Sequence, residues 1–301
     1  MINKRDEVKL LKNPHVLLII YALLISISFH VGHSITNDID PLVLTFVRFF
    51  IASIIFGTYV KVKYGIQKPS VKEFFSYMFI SLSLVGYFYG MFHALRYTTP
   101  INVSIVYSTV PIFSTIYGAV FLKEFTSYRR VAVLIVVMFG AIWVISNGDI
   151  NRLLALDFNK GDLMFLGASM CMGMYPILSK TFSRGLPIPV LTFWTLVTGT
   201  IVLAFAANIE IAKMDWINAP ARLYAGVFYV TVFTTMLTFF IIQYASHKLH
   251  VSKVMAYNYI IPVFAIVENI ILGKGLPSMS VLPGVLIVVS CTFFFMKSPK
   301  N

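Results

Sequence analysis

Ten apolar stretches follow one another along nearly the whole of this 301-residue chain, each long enough to cross a lipid bilayer as a helix. They run over 14–34, 41–60, 74–95, 100–121, 128–147, 162–182, 188–208, 221–244, 252–272 and 278–297. A hydrocarbon core about 30 Å thick takes roughly 20 helical residues. With 58% hydrophobic and 12% charged residues, the chain carries more apolar surface than a water-soluble fold of this length can bury. The expected fold is therefore an all-α polytopic membrane protein with ten transmembrane helices. The connections leave no room for a separate soluble catalytic domain. The first stretch lacks a small-residue cleavage site and leads straight into the second, so it is expected to be retained. Cys171 and Cys291 lie inside two stretches without neighbouring metal ligands and read as small buried hydrophobes. No metal and no cofactor is expected.

The net charge of +12 is explained by its distribution rather than by a nucleic-acid partner. Alternate loops and both termini collect 17 basic residues, from Lys4, Arg5, Lys9 and Lys12 through Lys61 to Lys72, then on to Lys300. The opposite loops hold six: Arg96, Arg152, Lys160, Lys213, Arg222 and Lys274. Basic residues are retained on the cytoplasmic side during insertion. The bias puts both termini in the cytoplasm, as an even number of spans requires, with anionic lipid as the partner of the basic face.

The two halves resemble each other. Residues 94–113 can be laid on 245–264 at a constant offset, matching Ala94 with Ala245, Val103 with Val254, Pro111 with Pro262 and Phe113 with Phe264. Pro41 likewise opens the second span as Pro189 opens the seventh. The expected organisation is a cytoplasmic tail (1–13), a five-helix repeat (14–147), an external linker (148–161), a second five-helix repeat (162–297) and a short cytoplasmic tail (298–301). Five spans per half is odd, so the second repeat enters the membrane from the opposite side. Inverted repeats of this kind hold their solute near the midplane and exchange conformations to give alternating access.

Several of these features together resemble the drug/metabolite transporter superfamily, specifically its ten-helix EamA-type members. The resemblance covers essentially the full chain and is carried by Pro41 with Arg48, the run Ala94-Leu95-Arg96-Tyr97-Thr98-Thr99, Pro111 with Glu124, Gly161-Asp162 and Pro262-Val263-Phe264. Two departures stand out: Gly275 occupies the place of Glu124 in the second half, and Tyr244-Ala245-Ser246-His247-Lys248 is a loose version of its counterpart. What the resemblance implies is a carrier of small organic solutes, with spans five and ten outside the substrate-lining set.

Charge inside the membrane is costly and asks for a reason. Arg48 lies seven residues beyond Pro41, about 10 Å deep at about 1.5 Å of rise per residue. Glu268 lies five residues before Gly273, about 7 Å from the same outer surface. Neither is repeated in the other half, where Leu196 and Tyr117 stand. Two readings remain open: the two charges form an ion pair or cap nearby backbone and so pin helices, or they lie on the solute path and meet opposite ends of a zwitterionic or anionic solute. Glu268 is also a candidate for proton exchange, as is His30, with His33 nearby. Tyr107, Asn258, Pro111 and Pro262 mark weakened helices in spans four and nine, since proline frees a carbonyl one turn earlier. In helical phase Tyr257, Ile261, Phe264 and Glu268 share one face, and Asn258 lies on the next. Tyr87 and Tyr89 in span three, Tyr175 in span six and Trp194 in span seven are candidate aromatic lining, and His93, a titratable side chain at the outer end of span three, is a further candidate for solute binding. Gly118, Gly140 and Gly199 allow close helix approach.

An integral-membrane enzyme is the main rival. The chain has no HExxH, no GxSxG, no aspartate-rich motif and no paired cysteines; His247, Lys248 and His250 read as a basic loop. A P-loop is missing too, so transport is expected to be facilitated exchange or ion-coupled rather than ATP-driven. Amino acids or related amphipathic metabolites are the first expectation for the solute, with nucleotide-linked solutes or drugs second. The composition suits a bacterial inner membrane. Oligomeric state is open, a homodimer being one arrangement allowed.

Overall fold

The structure, a computed structural model, describes residues 13–297 apart from 126, 147, 156–158, 184, 250 and 276–277. Residues 1–12 and 298–301 of the tails, and His250, thus lie outside the described residues. Among those described, the chain is helical with no strand. The main elements are α1 (Pro14–Ile35), α2 (Pro41–Tyr64), α3 (Val71–Ala94), α4 (Pro100–Tyr107 and Val110–Leu122), α5 (Tyr128–Ile145), α6 (Lys160–Phe182), α7 (Ile188–Ala206), α8 (Ala221–Ser246), α9 (Val251–Met255, Ala256–Ile260 and Ile261–Ile271) and α10 (Leu282–Lys297). Eight are long and apolar enough to cross a membrane, whereas α5 and α10 carry shorter apolar stretches, Val131–Gly140 and Leu282–Cys291. Short helices Ile150–Ala155 and Asn208–Lys213 sit in connections.

The helix starts are written locally. Asn13, Asp40 and Thr99 each stand before a proline, and their side chains accept from the backbone N–H of His15, Leu42 and Asn102. A proline in the first turn loses no helical hydrogen bond, and the cap satisfies an otherwise orphaned donor. Ser70 and Glu73 form a reciprocal capping box at the start of α3.

The packing pattern repeats between the halves. α1 packs against α8 and α9, and α6, the corresponding first helix of the second half, packs against α3 and α4. α2 pairs with α7, and α5 with α10. Each half thus lends its first helix to the other. Close approach is needed where α3 meets α6: a methyl group on Gly90 would stand 2.7 Å from Cβ of Ala168. Gly140 and Gly199 also meet neighbours closely, while a methyl group on Gly118 would have no neighbour within 4 Å.

Three helices are irregular. α4 breaks at Ser108 and Thr109, directly before Pro111. α9 tightens to a 3₁₀ segment over Ala256–Ile260, directly before Pro262. That tightening shifts the angular phase, so the single α-helical stripe expected from Tyr257 to Glu268 is not continuous. α8 contains a π turn, Val232–Leu237, at a place with no proline.

Candidate functional site

Arg48 is the largest fully buried side chain among the described residues, with no exposed surface. The cap at Asp40 sets the phase of α2, which puts Leu44, Arg48 and Ala52 on one buried face at helical spacing. Its Nε and Nη2 donate to Thr235 Oγ1 at 3.0 and 2.8 Å, and Nη2 donates to Thr234 Oγ1 at 3.2 Å. Both threonine hydroxyls in turn donate to the Val230 carbonyl, each at 2.8 Å. The widened π turn lets two consecutive side chains reach one carbonyl, leaving their lone pairs free for the guanidinium. Below it, the guanidinium carbon lies 4.0 Å from the centre of the Phe88 ring and 5.2 Å from that of Phe92. Nη1 is buried without a hydrogen-bond partner, and among the described residues no carboxylate pairs with Arg48.

An aromatic network continues from this point. Phe239 lies 5.6 Å from Phe88 and 5.7 Å from Tyr175, ring centre to ring centre. The Tyr175 hydroxyl accepts from Gln243 Nε2 at 2.8 Å, and Gln243 Oε1 accepts from Thr192 at 2.5 Å. On the other side Tyr87 packs on Phe88 and on Tyr107, whose hydroxyl lies 2.7 Å from that of Tyr21. Arg48, Tyr175, Tyr107 and Tyr87 are thereby brought into one cluster. Asn258, in the 3₁₀ segment, is fully buried, and neither amide atom has a partner among the described residues.

Glu268 does not meet Arg48. Its Oε2 accepts from Ser26 Oγ at 2.9 Å and lies 3.6 Å from His30 Nε2. In this structure an Arg48–Glu268 ion pair is therefore not what pins the helices. Tyr89 and His93 are also placed elsewhere: with Tyr97 they form a ring ladder on the outer flank of α3. The physical reason is phase, since Tyr89 follows Phe88 by about 100° and is 38% exposed. Trp194 stacks on Tyr77 beside a cleft of about 210 Å³ that includes loop residues Lys68 and Pro69. His33 approaches the Leu95 carbonyl and lines a larger cleft of about 550 Å³ with Arg96, Tyr97 and Asn102.

Sequence reasoning passed over Thr234, Thr235, Gln243, Tyr21, Phe88 and Phe239. Gln243 carried a usable signal, an amide inside an apolar run. The two threonines did not, because hydroxyls inside helices commonly bond their own backbone. Among the described residues no group of three His, Cys, Asp or Glu side chains is placed to hold a metal.

The profile of the EamA-like transporter family matches residues 13–146 and again 159–296. An uncharacterized transporter of Bacillus subtilis (strain 168) is 21% identical over 280 residues, covering 92% of each chain. An S-adenosylmethionine uptake transporter of Rickettsia conorii is 24% identical over 261 residues, covering 86% of this chain and 83% of that one. A crystal structure of a protein at 16% identity superposes with a TM-score of 0.69 over 93% of this chain and 95% of that one, and shares the fold.

Proposed function

The chain belongs to the EamA-like transporter family, and we propose that it carries an amphipathic zwitterion, an amino acid or an amino-acid-derived metabolite, by alternating access between two inverted five-helix repeats. It is an integral multi-pass membrane transporter of small metabolites, not an enzyme. The reading extends to α5 and α10 as the fifth and tenth spans, to cytoplasmic termini, to a bacterial inner membrane and to a cycle that does not use ATP.

One observation carries the choice of solute. A guanidinium is fully buried, held by two neutral hydroxyls, and has a spare donor that no carboxylate among the described residues receives. Buried charge is normally paired, and an unpaired one costs several kcal/mol. A solute carboxylate supplies the missing partner, and the planar fork of arginine suits it. The Phe88, Phe239 and Tyr175 rings offer an apolar wall beside that charge. The Asn258 amide offers a further donor and acceptor inside the bundle. S-adenosylmethionine joins an amino-acid end to an aromatic nucleoside, and relatives are named for its uptake. It is therefore the first solute to test.

The experiment is counterflow of radiolabelled S-adenosylmethionine, alongside a panel of amino acids, into liposomes holding the purified chain. The expected result is saturable uptake that is lost in Arg48→Gln. Full uptake by Arg48→Gln would remove Arg48 from the solute site.

A further inference from the structure

We infer that Glu268 and His30 together form a proton-binding site that couples solute movement to the pH gradient. The proton site stands on its own geometry, while the coupling rests on the transport reading above.

The two side chains come from different halves, α9 and α1, and their nearest polar atoms are 3.6 Å apart. Neither is satisfied. Among the described residues, Glu268 Oε2 receives one hydrogen bond, from Ser26 Oγ, while Oε1 is buried with no partner. His30 Nε2 lies 3.4 Å from the Ala265 carbonyl, and Nδ1 is buried with no partner among the same residues. An ionised carboxylate in a low-dielectric site needs donors or water at both oxygens. A proton on the pair, on either the imidazole or the carboxyl, takes its net charge from −1 to zero. Rearrangement of α1 against α9 that changes the hydration of this pair must then change its proton occupancy. By linkage, a proton gradient can drive that rearrangement.

The surroundings leave the role to these two groups. From α8 the pair faces Tyr229, which donates to the Leu24 carbonyl, while Arg222 is held by Asp38 and Tyr224 by the Trp216 carbonyl. From the first segment of α4, Pro100–Tyr107, which packs on α1 and α9, the titratable group is Tyr107, bonded to Tyr21, and the 3₁₀ segment of α9 contributes Tyr257, bonded to His15, and Tyr259. Cys291 is the titratable side chain described on α10. His33 and Lys274 complete the set around His30. α8 also joins this site to the other: Tyr229 lies against α1, and Thr234 and Thr235, just over one turn on, hold Arg48.

The test has two arms, both on the full chain. In nanodiscs, infrared difference spectra across a pH series should show a carboxylic acid band that titrates, that is missing in Glu268→Gln, that persists in Glu268→Asp and whose midpoint moves in His30→Gln. A band unchanged in Glu268→Gln, or no titrating band, overturns the site. In liposomes, accumulation of S-adenosylmethionine should follow an imposed acid gradient in the wild type and lose that dependence in Glu268→Gln. Uptake by the wild type that ignores the gradient overturns the coupling. A chain that titrates at Glu268 but carries no S-adenosylmethionine upholds the proton site and counts only against the proposed solute.

Discussion

Arg48 shows how far a single side chain depends on neighbours distant in sequence. Thr235 Oγ1 accepts two of its hydrogen bonds, and leaving a buried charged donor unsatisfied costs about 1–3 kcal/mol or more. Thr235→Val is therefore expected to lower the melting temperature in detergent and abolish counterflow, whereas Thr235→Ser keeps both. Scanning fluorimetry and the uptake assay read the two effects. Asn258 leads to the opposite pairing of outcomes. Its amide has no partner among the described residues, so replacing it by a leucine of similar shape removes a burial cost. Asn258→Leu is expected to hold or raise the melting temperature while reducing solute uptake, as a group kept for binding should. A large loss of stability would show instead that the amide supports the fold.

At the scale of elements, local chemistry and tertiary packing divide the work. The caps at Asn13, Asp40, Ser70 and Thr99 follow from adjacent residues, and so are visible in sequence. The interruptions before Pro111 and Pro262 are visible as places, because proline removes a donor, but the form they take is not. One becomes a two-residue break and the other a 3₁₀ segment. The π turn of α8 has no proline to announce it, and it sets where Arg48 is held. The contact of α3 with α6 is similarly a matter of packing. Gly90→Ala places a methyl 2.7 Å from Cβ of Ala168, which cannot swing aside. Overpacking of this sort typically costs about 1–3 kcal/mol. The substitution should lower the melting temperature, and Ala168→Gly in the same chain should restore most of it; an additive double variant would show that the two sites do not touch.

Across the whole molecule, the polar contacts join one half to the other. Asp38 pairs with Arg222 at one end, Glu124 with Lys180 at another place, and His15 with Tyr257 at a third. The hydrogen bonds from Arg222 hold the Asp38 carboxyl below its ordinary value, so the pair contributes above that value and is lost as pH falls through the lowered one. The melting temperature of the wild type should thus exceed that of Asp38→Asn near neutrality. The gap should close only below about pH 4, and also in high salt because Arg222 is exposed. A gap that persists in strong acid would assign the effect to something other than this ion pair.

The chain by itself determined that it lies in a membrane, roughly where each helix runs, and that two charges sit among apolar neighbours. Hydrocarbon thickness and helical rise act on consecutive residues, so those conclusions need no distant contact. Tertiary structure decided what the charges touch. Arg48 finds threonines 186 and 187 residues away, and Glu268 finds a serine 242 residues away. Which face of a helix meets which neighbour depends on rotation and on one extra residue in a π turn, and these are settled only when the two halves pack.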